Sequence, residues 1–136
     1  MIAAFILALS MFALLQFFIS YSRSVIAASS TQPLSPHVRE IAAIRDRTPA
    51  GEEFPRLVQL ARLCPDSRRD HWPVSAVSNY FRLLNLVHAM SRSVIPSLKA
   101  WAEKERSGCA YFAAITLDRR IAYSRGLMAQ QISNQM

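Results

Sequence analysis

The sequence predicts an all-α protein in which a single N-terminal transmembrane helix is followed by a small helical domain of four or five helices. The first 22 residues are almost wholly apolar and contain no charged side chain. In the remainder of the chain, apolar residues recur at spacings of three and four, which is the period of a helix with one buried face. Residues with strand propensity are concentrated in one short run, and the chain offers no second clear strand with which that run could pair. These three observations favour helices throughout.

The apolar N-terminal stretch is long enough to be a membrane anchor. A helix that crosses a bilayer needs about 20 mostly apolar residues, because the hydrocarbon is roughly 30 Å thick and each residue rises about 1.5 Å. Only Ser10 and Gln16 interrupt the apolar run between residues 1 and 19, and aromatic residues accumulate toward its end, as at a membrane interface. We therefore predict an anchor over residues 1–22. Its lipid-facing and interfacial side chains include Phe5, Leu9, Phe12, Phe17, Tyr21 and Arg23.

A cleaved secretory signal is the alternative interpretation of the same stretch. Val25 and Ala27 provide short side chains at the two positions that a cleavage site requires. Against cleavage, no Lys or Arg precedes the apolar run, and the run exceeds the usual length of about 7 to 15 residues for a signal core. Arg23 also lies between the run and the cleavage site. The sequence therefore predicts a retained anchor, and an exported helical protein is the alternative.

The positive residues near the anchor predict which side of the membrane holds the rest of the chain. No Lys or Arg precedes the anchor, whereas Arg23 and Arg39 follow it. Because Lys and Arg favour the cytoplasmic side, we expect a single-pass membrane protein with a cytoplasmic body. Cys64 and Cys109 leave this open, since they could form one disulfide outside the cytoplasm or remain two thiols inside it.

The residues after the anchor are sufficient for one small domain with a modest core. Small and polar residues predict a linker over residues 23–34, followed by a helical domain over residues 35–128 and a flexible tail over residues 129–136. The chain has 16 Lys and Arg residues against 9 Asp and Glu, for a formal charge of +7. This charge favours anionic partners, although a surface that needs arginine for solubility would have the same composition.

Caps and prolines divide the first half of the predicted domain. Ser35 followed by Pro36 is typical of a helix start, and the apolar pattern after it predicts a short helix that stops near Arg47. Acidic residues at the start of residues 52–63 favour the positive end of a second helix. The polar residues 66–71 predict a surface loop.

The second half contains the strongest helical pattern, over residues 72–90. We expect Pro96 to break this pattern and a shorter helix to follow, ending at Gly108. Residues 109–117 combine strand-forming and helix-forming side chains, and we predict a helix because the spacing of three and four continues as far as Leu127. Trp72 and Trp101 are expected to lie in the core.

No pattern in the sequence predicts a catalytic, cofactor-binding or metal-binding site. The three histidines are scattered, and neither cysteine has a partner at metal-ligand spacing. His88 is expected to be buried on the apolar face of the main helix, and Cys64 and Cys109 to pack as small hydrophobes. If folding brought His88 next to Cys64 or Cys109, the protein could be a small membrane-tethered enzyme or ligand-binding domain. No cofactor is expected.

Two short clusters combine arginine with aromatic residues, as anion-binding surfaces do. Nearby Asp residues balance part of their charge, and a tethered protein reaches nucleic acid poorly, so nucleic acid is a disfavoured partner. Anionic lipid is favoured, because an anchor already holds the body near the headgroups. The predicted contact residues are Arg68, Arg69, Arg119, Arg120 and Arg125.

The sequence therefore predicts a protein that acts by binding rather than by catalysis. A retained anchor and a broadly apolar central helix favour an accessory or scaffolding subunit of a membrane-associated assembly. Its partner would be another membrane-associated protein or a second copy of the chain. Ala4 and Ala8, four residues apart, form a small-residue face that could pack on another membrane helix.

Overall fold

The computed structural model describes residues 1–36, 38, 40, 53–65, 71–91 and 95–136. The described residues form helices and contain no strand, so the predicted all-α class is confirmed. Pro36, Val38 and Glu40 are also helical, where the sequence predicted a short helix whose remainder, near Arg47, lies outside the described residues. The four long helices are α1 (Ile2–Ser30), α2 (Phe54–Leu63), α3 (His71–Ser91) and α4 (Pro96–Gln135).

Helix α1 consists of a projecting half and a packed half. Its residues 2–17 are exposed, whereas Ser22, Ile26 and Ser29 are buried against the rest of the protein. These three residues are spaced by four and three, so they lie on one face of the helix. The first half of α1 therefore projects from the protein, and its second half is part of the folded body.

Residues 23–30, which the sequence predicted to be part of a linker, are helical. The small polar residues that suggested a linker satisfy their hydroxyl groups within the helix: Ser29 Oγ donates to the Ile26 carbonyl at 2.7 Å, and Ser30 Oγ donates to the Ala27 carbonyl at 2.7 Å. A serine hydroxyl within a helix can donate to a carbonyl of the preceding turn, so the side chain has a partner without leaving the helix. The burial of Ile26 and Ser29 then holds the helix in place.

Helix α4 does not end at Gly108 as the sequence predicted. It continues without a break to Gln135, through residues 109–117, whose predicted helical state is confirmed, and through the predicted tail. A Cβ atom at Gly108 would lie 3.0 Å from Ile26 Cγ2 of α1. Glycine therefore stands here because α1 and α4 approach each other closely, and not because the chain needs a left-handed residue to leave the helix.

The core surrounds the middle of α4. Six consecutive residues of α4, 112–117, are buried, which is possible only if neighbours cover more than one face of the helix. Helices α2 and α3 supply fully buried side chains such as Leu57, Tyr80 and Leu84, and the rings of Phe54 and Phe81 stack at a centroid distance of 4.2 Å. The predicted strong helix and its break before Pro96 are confirmed by the end of α3 at Ser91.

The two tryptophans do not both lie in the core. Trp101 is half-buried and packs against the core, whereas Trp72, at the start of α3, is 75% exposed. The expectation for Trp72 was wrong because the apolar face of α3 that meets α4 is centred on Val77, Tyr80 and Leu84. Trp72 lies five residues before Val77, and five residues rotate by about 140° beyond one full turn, so Trp72 lies off that face.

Candidate functional site

The exposed half of α1 is a strongly apolar surface. Helix α1 as a whole, Ile2–Ser30, is long and apolar enough to cross a membrane, and no other helix within the described ranges has both properties. Eleven large hydrophobic side chains between residues 1 and 17 are exposed. Among the predicted anchor residues, Phe5, Leu9, Phe12 and Phe17 belong to this exposed set, and Tyr21 is half-buried at the junction with the body.

Ala4 and Ala8 lie on the projecting half, one turn apart, and both are exposed. Their separation of four residues places them on the same side of α1. This face is therefore accessible to a second membrane helix, and the close contact itself stays a prediction.

A network of polar side chains joins α1 to the body where the projecting half ends. Arg23 Nε lies 3.4 Å from Glu105 Oε1, and Tyr80 Oη donates a hydrogen bond of 3.1 Å to Glu105 Oε2. The Phe18 ring meets the Tyr80 ring edge-on, with centroids 6.5 Å apart. One carboxylate of α4 thus holds residues of α1 and α3 at once. We call Phe18, Arg23, Tyr80 and Glu105 the junction network.

Burial keeps the Tyr80 hydroxyl protonated in this network. Burial first, and then the adjacent Glu105 carboxylate, raise the pKa of Tyr80 well above its ordinary value of 10.0. Both effects disfavour a second negative charge beside the carboxylate. Tyr80 is therefore a stable hydrogen-bond donor to Glu105 across the neutral pH range.

A second set of contacts fixes the chain just beyond the C-terminal end of α1. Tyr111 Oη donates to the Gln32 carbonyl at 2.6 Å, and Arg119 donates to Gln32 Oε1 at 3.3 Å. The Ser35 amide donates to Asp118 Oδ2 at 3.1 Å. Together with the junction network, these contacts attach the packed half of α1 and the following residues to α4 over most of their length.

Three of the five predicted anion-contact arginines lie among the described residues, and one of these three is buried. Arg119 and Arg125 are exposed on α4, and Arg68 and Arg69 lie outside the described residues. Arg120 is only 6% exposed, and it donates a hydrogen bond of 2.7 Å to the Ala61 carbonyl near the end of α2. The prediction for Arg120 must therefore be corrected, because its charged group stabilises the C-terminal end of a helix instead of facing solvent.

His88 pairs with a carboxylate of α4. His88 Nε2 lies 3.4 Å from Glu103 Oε1 and its side chain is partly exposed, so it is not the buried histidine that the sequence predicted. Cys109 is fully buried, and burial raises the pKa of its thiol to about 12. A thiol with so high a pKa is not a nucleophile near neutral pH. Cys64 is half-buried, and both cysteines are free thiols.

An apolar groove lies between α1 and α3 beside the junction network. Its lining includes Leu14, Phe17 and Tyr21 of α1 together with Trp72 and Ala76 of α3. The sequence did not reveal this groove, because it depends on the packing of two helices whose lining residues are at least 51 positions apart in the chain, Tyr21 and Trp72 being the nearest.

Within residues 1–36, 38, 40, 53–65, 71–91 and 95–136, no group of three or more His, Cys, Asp or Glu side chains is placed to bind a metal ion. Comparison of the chain with known protein families, characterised proteins and solved structures finds no match.

Proposed function

We propose that this chain is a single-pass membrane protein whose helical body is held at the cytoplasmic surface in a fixed orientation, where it acts as an accessory or scaffolding subunit of a membrane-associated assembly. The observation that carries the proposal is the continuity of α1 from Ile2 to Ser30. A single helix is both the apolar projecting segment and a packed element of the body. No flexible linker separates the two.

The hydrophobic effect supports a lipid environment for the projecting half. Burial of one large apolar side chain is worth about 1.5 to 3 kcal/mol. Ten such side chains are exposed on this half of α1. Their transfer from water to lipid would therefore contribute a free energy on the order of 15 to 30 kcal/mol, which greatly exceeds the effect of any single surface contact.

The rigid attachment supports a role in positioning. The junction network ties the packed half of α1 to α4, and the contacts of Gln32 with Tyr111 and Arg119 tie the residues just after α1 to the same helix. A body attached in this way cannot rotate freely relative to the anchor. Its exposed surfaces therefore keep a fixed position relative to the anchor helix, which is what a scaffolding subunit requires.

Two features support a cytoplasmic body. Arg23, the first charged residue after the apolar half of α1, lies on the side of the body, and Lys and Arg favour the cytoplasmic side of a membrane. Cys64 and Cys109 are unpaired in the fold, as expected of thiols in a reducing compartment.

Membrane fractionation of the full-length chain tests the proposal. We expect the protein to remain in the membrane pellet after extraction with alkaline carbonate, and its C-terminus to be digested by protease only when the cytoplasmic face is exposed. Light scattering after purification in mild detergent should show an oligomer or a complex with a second protein. A chain released by carbonate, or one that is monodisperse and monomeric without a partner, would contradict the proposal.

A further inference from the structure

Helices α1 and α4 run in the same direction where they touch. Glu105 lies 82 positions after its ion-pair partner Arg23, and a Cβ atom at Gly108 would lie closest to Ile26, 82 positions earlier. Beyond the end of α1, the hydrogen-bonded pairs of Ser35 with Asp118 and of Gln32 with Tyr111 and Arg119 are separated by 83, 79 and 87 positions. These separations scatter around 82, so α4 advances alongside α1 in the same direction.

This register fixes the level at which α4 begins. If the separation of 82 positions is continued toward the N-terminal end of α4, Pro96 is level with Leu14, and Leu98 is level with Gln16. Both positions of α1 lie within its apolar projecting half. Relative to Tyr21, which is at the junction, Leu98 lies five residues deeper and Pro96 seven residues deeper, or about 7 to 11 Å along the axis.

The end of α3 reaches a similar level. His88 of α3 contacts Glu103 of α4, and on the same register Glu103 is level with Tyr21. Helix α3 continues for three residues beyond His88 and ends at Ser91, and α4 begins at Pro96. Among the described residues, the end of α3 and the start of α4, between which the chain reverses, therefore lie at the level of the projecting half of α1.

Exposed apolar side chains are found on both sides of this reversal. Met90 is 70% exposed, Ile95 is 47% exposed and Leu98 is 38% exposed. Lys99 follows directly and is also exposed. We call Met90, Ile95 and Leu98 the turn tip. Apolar residues followed by a cation are typical of segments that enter the headgroup region to a depth of about 5 to 10 Å.

We propose that the turn tip is a second membrane contact, which inserts into the lipid interface beside α1 while Lys99 extends its ammonium group to anionic headgroups. The inference rests on the proposed function, because it requires α1 to lie in the membrane. Lipid is the occupant because the depth of the tip along α1 coincides with the apolar half of that helix. A long lysine stem can remain among lipid chains while its charge reaches the headgroups.

Two attachments explain how a body of this size keeps its orientation. A single helix allows the body to lean toward or away from the membrane surface as the helix tilts. A second lipid contact, made by the body beside α1, opposes that motion. The turn tip is well placed for this purpose, because it belongs to α3 and α4 and is rigidly connected to α1 through the junction network.

Depth-dependent fluorescence quenching in vesicles tests this inference. The full-length chain carries Cys64→Ser, so that the buried Cys109 is the only native thiol left, and single cysteines for an environment-sensitive dye are introduced as Met90→Cys or Leu98→Cys. The vesicles contain phosphatidylcholine with a minority of phosphatidylglycerol. Each labelled protein is quenched separately by iodide in the water and by lipids that carry a nitroxide near the headgroup.

Two control positions make the outcomes distinguishable. Leu9→Cys reports on the anchor itself. Leu63→Cys reports on a solvent-exposed site of α2, whose neighbour Ala61 contacts Arg120, far along α4 from the turn tip. A labelled Cys64→Ser chain without an introduced cysteine measures the background from Cys109.

We expect the labels at residues 90 and 98 to be quenched several-fold more by the nitroxide lipid, relative to iodide, than the label at residue 63. If residues 90 and 98 behave like residue 63 while residue 9 is in lipid, the inference is wrong and the proposed anchor stands. If residues 90 and 98 are shielded from both quenchers, protein covers the tip and the assignment to lipid is overturned. If residue 9 is quenched by iodide, the anchor is wrong and the inference fails with it.

Discussion

Arg23 of α1 forms an ion pair with Glu105 of α4, with Arg23 Nε 3.4 Å from Glu105 Oε1. The same carboxylate accepts the hydroxyl group of Tyr80 from α3. The first charged residue after the apolar half of α1 is therefore linked to both long helices of the body. A membrane-length helix and a folded domain are joined here by side-chain contacts as well as by the chain.

Replacement of Glu105 tests the junction network. Glu105→Ala leaves the buried Tyr80 hydroxyl without its acceptor, and an unsatisfied buried group costs about 1 to 3 kcal/mol. Glu105→Gln keeps an acceptor for Tyr80 and loses only the ion pair with a largely exposed arginine, so we expect a smaller loss, of about 0 to 1 kcal/mol. Thermal unfolding in mild detergent, followed by circular dichroism, measures both.

Glu103→Gln is the matched control for these variants. Glu103 lies two residues away on the same helix, and its side chain is 57% exposed beside His88. We expect no measurable change in the free energy of unfolding. Equal losses for Glu103→Gln and Glu105→Ala would show that the junction network has no special role.

The two glycines of α4 should respond in opposite directions to substitution. A side chain at Gly108 must displace Ile26 of α1, whereas a Cβ at Gly126 meets no atom within 4 Å. Gly108→Leu should therefore lower stability by about 1 to 3 kcal/mol through overpacking. Gly126→Ala should raise it by up to about 1 kcal/mol, because alanine is the better helix former.

Unfolding of the two glycine variants in the same detergent measures this difference. The result would contradict close packing of α1 on α4 if Gly108→Leu were as stable as the parent chain. A second observation should accompany the loss in Gly108→Leu: protease should cleave the segment around residue 30 more readily than in Gly126→Ala, because α1 is displaced from the body.

Arg120 should be a structural residue. Its guanidinium group donates to the Ala61 carbonyl and is nearly inaccessible. Arg120→Ala should lower the free energy of unfolding by about 1.5 to 3 kcal/mol, the usual effect of a hydrogen bond that involves a charged group. Arg125→Ala, on an exposed position of the same helix, should change stability by less than about 0.5 kcal/mol.

Binding to anionic vesicles separates the two arginines further. Arg125 is exposed, and its removal should weaken contact with phosphatidylglycerol if the predicted lipid contact is correct. A stable Arg120→Ala protein that has lost lipid affinity would restore Arg120 as a surface residue and contradict its burial.

The protein should lose stability at alkaline pH. Burial raises the pKa of the Cys109 thiol from 9.0 to about 12, and the pKa of Tyr80 is raised as well. In the unfolded chain these groups lose their protons near pH 9 to 10, whereas the folded protein retains them, so the folded state binds more protons above that pH. The two groups therefore make their full contribution to the free energy of unfolding below about pH 9. This contribution is lost as the pH rises toward the pKa values that the groups have in the folded protein.

Melting temperatures between neutral and strongly alkaline pH measure this effect. Cys109→Ala removes one of the two groups and should reduce the alkaline loss, at the expense of a small cavity in the core. The opposite trend, with stability rising as the pH passes 9, would show that these groups are not protonated in the fold. Thiol titration gives an independent check, because Cys109 should react only after unfolding.

The sequence was sufficient for features that depend on local chemistry. Proline at position 96 marks the start of α4 because it lacks an amide donor, and the apolar spacing identifies α3 almost to the residue. The length of the apolar N-terminal run also identifies α1 as the one described helix that could cross a membrane. These signals arise within a single turn or a single helix.

The features that the sequence missed depend on contacts between distant residues. Glycine ends helices and also permits close approach of two helices, and only the position of Ile26 distinguishes these roles for Gly108. The burial of Arg120 depends in the same way on the Ala61 carbonyl, 59 positions away. The continuation of α1 beyond Arg23 depends on a body against which Ile26 can pack.

The central claim is that α1 is retained as one helix that anchors the body to a membrane. The most direct test is the intact mass of the native chain recovered from a carbonate-washed membrane fraction. We predict a mass that corresponds to the full sequence, with the apolar half of α1 still attached and the protein in the pellet. A chain that begins at Ala28 and is recovered in the soluble fraction would contradict the account.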